Sequence, residues 1–188
     1  IILPAPSWVS YDPQAIISKN KVHWVQTKIE NNWHVTTEEM EKVLSLVTTK
    51  HKIIILNTPN NPSGTNAKNL QDLAEIFKKN NVIVLSDEIY SDLNFSDQYE
   101  SIAKYYPEKT IISNGLSKWC GAGGWRLGFF AIPDSLSALN QTMQVLASET
   151  YSAASAPVQY AAVSAYESDQ SKYLDHSRRI LQLIGDYC

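Results

Sequence analysis

Residues 52–90 read KIIILNTPNNPSGTNAKNLQDLAEIFKKNNVIVLSDEIY, and this stretch decides the fold. It begins with a short, mostly apolar run from Lys52 to Leu56, and a second apolar run, from Val82 to Leu85, lies near its end. The apolar residues between the two runs recur at helical spacing: Leu70, Leu73, Ala74 and Phe77. Two buried strands joined by an amphipathic helix form a βαβ unit. The stretch therefore predicts a parallel sheet with helices on both faces.

The same alternation continues on both sides of this unit. Upstream, Ile1 to Pro4 is typical of a strand entering a loop, and Thr36-Thr37-Glu38-Glu39 is a capping-box-like helix start. The apolar face of that helix contains Met40, Val43, Leu44 and Val47. Downstream we predict strands at 110–112 and 127–132, a helix from about Asp134, and a wholly helical pattern from Ala156. The predicted fold class is α/β, mostly parallel, with a helical C-terminal part.

Composition excludes several classes of protein. The chain has 188 residues, 44% of them hydrophobic and 19% charged, which is typical of a globular domain with one sizeable core. A net charge of -3 without a basic stretch argues against a nucleic-acid partner. Apolar runs such as 53–56 are far shorter than the roughly 20 residues of a membrane span. The distant Cys120 and Cys188 and the scattered histidines favour neither a disulfide framework nor a metal site.

Polar residues follow three successive predicted strands. They are the turn at 57–64, the segment Ser86-Asp87-Glu88-Ile89-Tyr90, and the segment 113–119 that contains Lys118. Taken singly, these are a βα turn, a helix cap and a solvated lysine. Because the carboxyl ends of parallel strands share one edge, however, an amide, a carboxylate and an amine are predicted to meet there.

These segments resemble a known family. Asn-x-Pro-x-Asn-Pro-Ser-Gly, Ser-Asp-Glu-Ile-Tyr and Ser-Lys-x7-Arg-x-Gly occur in the order and approximate spacing of the class I and II aminotransferases, which are pyridoxal-phosphate enzymes of fold type I. The likeness covers most of the chain and looks closest to the aspartate and aromatic branch. It implies an exchange of an amino group between an amino acid and a 2-oxo acid.

The resemblance implies a role for each matching residue. Lys118 forms a Schiff base with pyridoxal 5′-phosphate and then moves the substrate proton. Asp87 pairs with the ring nitrogen, while Asn61 and Tyr90 hydrogen-bond the phenolic oxygen. Arg126 binds the phosphate with its planar fork.

Two further expectations depend on the same resemblance, and at one position the chain departs from it. Trp8 matches the loop that places an aromatic ring on the cofactor, although a tryptophan in apolar surroundings can also be core packing. The Asn61-Pro62 bond is expected to be cis. Many family members have a phosphate-binding serine three residues before the lysine, where this chain has Gly115.

Family members are about twice as long as this chain. We therefore expect residues 1–150 to be a cofactor-binding large domain that lacks its N-terminal part, and residues 151–188 to lead toward a small domain. The resemblance further implies a homodimer when full length. A cytoplasmic location is a separate expectation. A β-lyase of the same fold, an aminotransferase-like sensor domain of a regulator, and an inactive structural fragment are the alternatives.

Overall fold

The computed structural model describes residues 1–95 and 99–188, and in them a single six-stranded sheet carries the fold. The strands are β1 (Ile2–Ala5), β2 (His23–Gln26), β3 (Ile53–Asn57), β4 (Ile83–Asp87), β5 (Thr110–Gly115) and β6 (Gly128–Ala131). The α-helices are α1 (Tyr11–Ile17), α2 (Thr37–Leu46), α3 (Leu70–Lys79), α4 (Ser137–Thr150), α5 (Ala156–Glu167) and α6 (Ser171–Tyr187).

The sheet has the strand order β2-β1-β3-β4-β5-β6. All neighbouring pairs from β2 to β5 are parallel, and β6 runs antiparallel to β5. The prediction of a mostly parallel α/β sheet with a helical C-terminal part is thus confirmed. The sequence patterns did not indicate the direction of β6, and they missed α1 and β2.

The main hydrophobic core lies where α2 and α3 cover the sheet. Phe77, Leu73 and Met40 are completely buried there against strand residues such as Ile54 and Val84. The predicted helix start is confirmed in detail, because the Thr36 hydroxyl accepts a hydrogen bond from the Glu39 amide at 3.2 Å and the Glu39 carboxylate accepts one from the Thr36 amide at 3.4 Å. Local capping and long-range packing therefore agree on where α2 begins.

A second, smaller cluster lies at the segment that follows β5. Leu116, Trp119 and Ala162 are buried in it, so it joins the loop after β5 to α5. The Trp119 indole donates a hydrogen bond to the Tyr166 hydroxyl at 3.3 Å. The Arg178 side chain of α6 donates to the Asp92 carbonyl oxygen at 3.0 Å. These contacts hold the C-terminal helices beside the segments that follow β4 and β5.

The domain boundary expected after residue 150 coincides with the end of α4. The division into residues 1–150 and 151–188 nevertheless stays a prediction. Within the described part of the chain, no helix combines the length and the apolar character needed to cross a membrane.

Candidate active site

A cavity of about 540 Å³ opens at the carboxyl ends of β3, β4 and β5. This volume lies within the range of about 300–1,000 Å³ that is typical of small-molecule sites. All six residues predicted from the sequence line it: Trp8, Asn61, Asp87, Tyr90, Lys118 and Arg126. The parallel strands bring them together although they are spread over more than a hundred positions of the sequence.

Asn57 fixes the turn that carries Asn61. It is the last residue of β3 and lies in register with Asp87 of β4. Its side-chain amide donates to the Asp87 carbonyl oxygen at 2.9 Å, and its side-chain oxygen accepts from the Asn61 amide at 2.7 Å. Asn57 is buried, so these bonds are shielded from water. The Asn61-Pro62 bond is cis, as expected.

Asp87 presents its carboxylate at the cavity wall. One oxygen, Oδ2, accepts a hydrogen bond from the Tyr11 hydroxyl at 2.6 Å, and the other, Oδ1, accepts from the Ile89 amide at 3.2 Å. Tyr11 also lines the cavity, and sequence reasoning missed it. The available signal was its position three residues after Trp8, because a single turn brings such residues together: the Tyr11 amide donates to the Trp8 carbonyl oxygen at 3.2 Å.

The Tyr11 hydroxyl keeps its proton, and so remains a hydrogen-bond donor, over the whole pH range in which proteins are ordinarily folded. Burial raises the pKa of Tyr11 far above its ordinary value, and the negative charge and hydrogen bond of Asp87 raise it further. A phenol that keeps its proton can only donate to the carboxylate. The contact therefore has a fixed direction, from Tyr11 to Asp87.

Asn61, Tyr90 and Lys118 form one group in the cavity. The Asn61 side-chain amide donates to the Tyr90 hydroxyl at 3.3 Å, and the Lys118 Nζ atom lies 5.5 Å from the centre of the Tyr90 ring. Since Tyr90 accepts from Asn61, its own hydroxyl hydrogen is left to donate to another acceptor. An amine and a hydroxyl donor thus face the same space.

Arg126 and Lys118 both come from the connection between β5 and β6. The Arg126 backbone is left-handed, with φ of 58°, and its side chain donates to the Gly123 carbonyl oxygen at 2.6 Å. Both cationic side chains are exposed, in contrast to the half-buried Asp87. The cavity therefore has a positive side and a negative wall.

Trp8 lies at the mouth of the cavity and not in the core. Its side chain is 41% exposed, and it meets the Tyr11 ring edge-on with a centroid distance of 5.3 Å. The exposed ring argues against simple core packing. It leaves an aromatic surface available to a ligand.

Gly115 shows why this chain lacks the serine seen in many family members. A Cβ atom at this position would lie 2.7 Å from the Leu127 carbonyl oxygen and 2.8 Å from the Gly128 Cα atom. Both are backbone atoms, one in β6 and one in the residue directly before it. They cannot move aside without displacing the strand. The close β5 to β6 contact excludes any side chain here.

Glu88, which does not line the cavity, stabilises the segment after Asp87. It is buried, and its Oε1 atom accepts hydrogen bonds from the Ser86 hydroxyl at 2.8 Å and from the Ser101 hydroxyl. The carboxylate therefore ties the end of β4 to the segment at 101–104. No cluster of three or more possible metal-ligating side chains occurs among residues 1–95 and 99–188.

Comparisons with known proteins agree with this geometry. The family model for aminotransferase class I and II matches residues 1–187. The aspartate aminotransferase of Bacillus sp. (strain YM-2) is 34% identical over 177 residues, which cover 90% of this chain and 43% of that protein. The aromatic-amino-acid aminotransferase 2 of Thermococcus litoralis is 36% identical over 143 residues, covering 71% of this chain and 35% of that protein.

Solved structures give the same result for the fold. The aromatic aminotransferase of Pyrococcus horikoshii superposes with a TM-score of 0.85 at 32% identity, covering 95% of this chain and 48% of that one. A double mutant of Thermus thermophilus aspartate aminotransferase gives a TM-score of 0.87 at 25% identity, covering 95% of this chain and 46% of that one. The chain thus spans about half the length of the relatives it matches. Its fold agrees with theirs over the matched residues, and the chain belongs to the class I and II aminotransferase family.

Proposed function

We propose that the protein containing this chain binds pyridoxal 5′-phosphate in the cavity and transfers an amino group between an amino acid and a 2-oxo acid. The observation that carries the proposal is the convergence of the six predicted residues on one cavity at the strand ends. The relatives named as aspartate and aromatic aminotransferases support a substrate of one of these two types.

The side chains present fit this cofactor. An amine suits its aldehyde, a carboxylate suits a protonated ring nitrogen, and an arginine fork suits its phosphate. The cavity supplies these groups as Lys118, Asp87 and Arg126. When bound, the cofactor supplies an electron-withdrawing ring that stabilises negative charge on the substrate Cα atom.

Lys118 has two tasks in this proposal. Its Nζ atom would hold the cofactor at the aldehyde carbon until the substrate amine takes its place there. The freed amine would then accept the proton from the substrate Cα atom. Its exposed position between β5 and β6 gives the side chain room for both tasks. One residue thus acts as anchor and as general base.

Asp87 and Arg126 hold opposite ends of the ligand. Asp87 is fixed by donors on both carboxylate oxygens and would accept a hydrogen bond from a protonated ring nitrogen. Arg126 donates one of its N–H groups to the Gly123 carbonyl oxygen and has others that would bind the phosphate. The two contacts orient the ring relative to Lys118.

Asn61 and Tyr90 would hold the phenolic oxygen, and Trp8 would cover a face of the ring. The Tyr90 hydroxyl, which accepts from Asn61, has its hydrogen free for an anionic oxygen. All six residues lie within 1–150, and we propose that this range is the cofactor-binding domain. The homodimer and the cytoplasmic location stay predictions.

The test uses the full-length protein with added pyridoxal phosphate. After borohydride reduction, we expect mass spectrometry to find the cofactor on the peptide that contains Lys118. Lys118→Ala should abolish the labelled peptide and the visible absorption band, while Lys172→Ala, an exposed lysine on α6, should leave both unchanged. A band of wild-type intensity in Lys118→Ala would show that the assignment is wrong.

The reaction type is tested in a single half-reaction. Addition of aspartate or an aromatic amino acid without a 2-oxo acid should convert the cofactor stoichiometrically to its amine form. A β-lyase would release its product and leave the cofactor in its starting form. If the cofactor binds to Lys118 but neither reaction occurs with any amino acid, the sensor alternative gains support.

A further inference from the structure

The buried hydroxyl of Tyr11 donates a hydrogen bond to the carboxylate of Asp87. Tyr11 is the first residue of α1, its side chain is only 6% exposed, and its Oη atom lies 2.6 Å from Asp87 Oδ2. The two residues are 76 positions apart. A short contact between a buried donor and a carboxylate is among the stronger hydrogen bonds in proteins.

The contact restrains the orientation of the carboxylate. The terminal torsion of an aspartate is broad and is set mainly by its partners. Here Oδ2 is held from α1 by Tyr11, and Oδ1 is held from the chain after β4 by the Ile89 amide. Donors from two separate elements therefore fix the plane of the group.

The surroundings make the Tyr11 contact durable. Trp8 packs edge-on against the Tyr11 ring at 5.3 Å, which limits movement of the phenol. Burial and the charge of Asp87 raise the pKa of Tyr11, so the hydroxyl keeps its hydrogen at every pH of practical interest. Among the described residues, the titratable groups that raise its pKa are Asp87 and Tyr90, and Lys118 and Arg126 line the same cavity.

We propose that Tyr11 is a positioning residue, whose hydroxyl holds Asp87 in the orientation that binds a protonated ring nitrogen. The inference rests on the proposed function, because it needs a ligand of that kind in the cavity. Tyr11 acts through Asp87 and does not itself react. Partners of this kind commonly change the affinity or activity of a site by one to two orders of magnitude in metal centres, where they have been measured.

The experiment measures the dissociation constant of pyridoxal phosphate for the full-length protein. Tyr11→Phe removes only the hydroxyl and keeps the ring volume, so the variant is expected to fold. The loss of one hydrogen bond to a charged group should weaken binding about tenfold. Tyr106→Phe is the matched control, since Tyr106 is 2% exposed and lies in the main core, and its dissociation constant should equal that of the wild type.

A double-mutant cycle separates positioning from packing. In an Asp87→Asn background the acceptor is neutral and the ionic contact is gone, so Tyr11→Phe should weaken binding less than about threefold. An equal loss in both backgrounds, or no loss with Asp87 present, overturns the inference. If wild-type protein carries the cofactor on Lys118 while Tyr11→Phe matches Tyr106→Phe, only the inference fails. If wild-type protein forms no bond at Lys118, the proposed function fails.

Discussion

The two sides of the sheet differ sharply in how well they are packed. Strands β3 and β4 with helices α2 and α3 form a core in which Phe77 and Leu73 are completely buried. By contrast, all four residues of β6 are exposed, and α4 and α6 leave every residue at least partly accessible. Large apolar side chains remain in contact with solvent in this C-terminal segment, such as Val145, Tyr160 and Leu183.

The candidate site lies across this division. Asn61 and Asp87 extend from the well-packed strands, and Lys118 and Arg126 come from the connection that leads to β6. Packed cores are rigid, whereas sparsely packed segments open at lower free energy. The groups proposed to bind the ring therefore extend from the main core, whereas the anchoring amine lies in a loop that is supported only by the smaller cluster of Leu116, Trp119 and Ala162.

The largest expected effect comes from a pair of truncations, one on each side. Phe77→Ala leaves a cavity in the main core and should lower the free energy of unfolding by about 3–5 kcal/mol. Leu183→Ala, on a side chain that is 62% exposed, should change it by less than about 0.5 kcal/mol. Urea titration followed by circular dichroism measures both values.

The same two variants also test whether the contrast in packing holds in the full-length protein. If Leu183→Ala in the full-length protein costs more than about 2 kcal/mol, its side chain is buried there against further protein. The C-terminal segment would then be as well packed as the core, and the contrast would apply to this chain alone. Equal small losses for both variants would contradict the packing described for Phe77.

A smaller effect is expected where the two regions meet. Gly115→Ala places a methyl group against the backbone of Leu127 and Gly128, and it should destabilise the protein by about 1–3 kcal/mol. The control is Gly124→Ala, because a Cβ atom there meets no atom within 4 Å. The midpoints of thermal unfolding of the two variants provide the measurement. A Gly115→Ala variant as stable as Gly124→Ala would show that β5 and β6 separate easily.

The smallest effect concerns pH dependence at the edge of the main core. Burial, followed by the positive charge of Lys68, lowers the pKa of His34 below its ordinary value of 6.5. The unfolded chain therefore takes up this proton first as the pH falls. Stability contributed by neutral His34 is complete above about pH 6.5 and is lost as the pH falls toward the lower value in the folded state.

His34→Gln removes this proton uptake. We expect the free energy of unfolding to fall less between about pH 7.5 and pH 5.5 in this variant than in the wild type. His51→Gln, at an exposed position, is the control and should follow the wild-type curve. Urea titrations at a series of pH values give the comparison. A His34→Gln curve that coincides with the wild type contradicts the assignment.

Much of the fold could be predicted because its signals are local. The periodicity of α2 and α3, the apolar runs of β3 and β4 and the helix start at Thr36 each depend on a few consecutive residues. The elements that were missed are short: α1 has seven residues with exposed Ile16 and Ile17, and β2 has four residues of which only Val25 is buried. In such segments the burial pattern is too brief to reveal a period.

By itself, the sequence determined the βαβ unit around β3 and β4 and, through the rule that parallel strand ends share an edge, the meeting of an amide, a carboxylate and an amine there. The family motifs in the sequence then identified six of the residues that line the cavity. The tertiary structure decided the contacts between distant segments. These are the antiparallel pairing of β6, the exclusion of a side chain at Gly115, and the hydrogen bond from Tyr11 to Asp87. One reason explains why the sequence did not predict these three features. Each depends on how closely two chain segments approach in space, and no local pattern of residues encodes that distance.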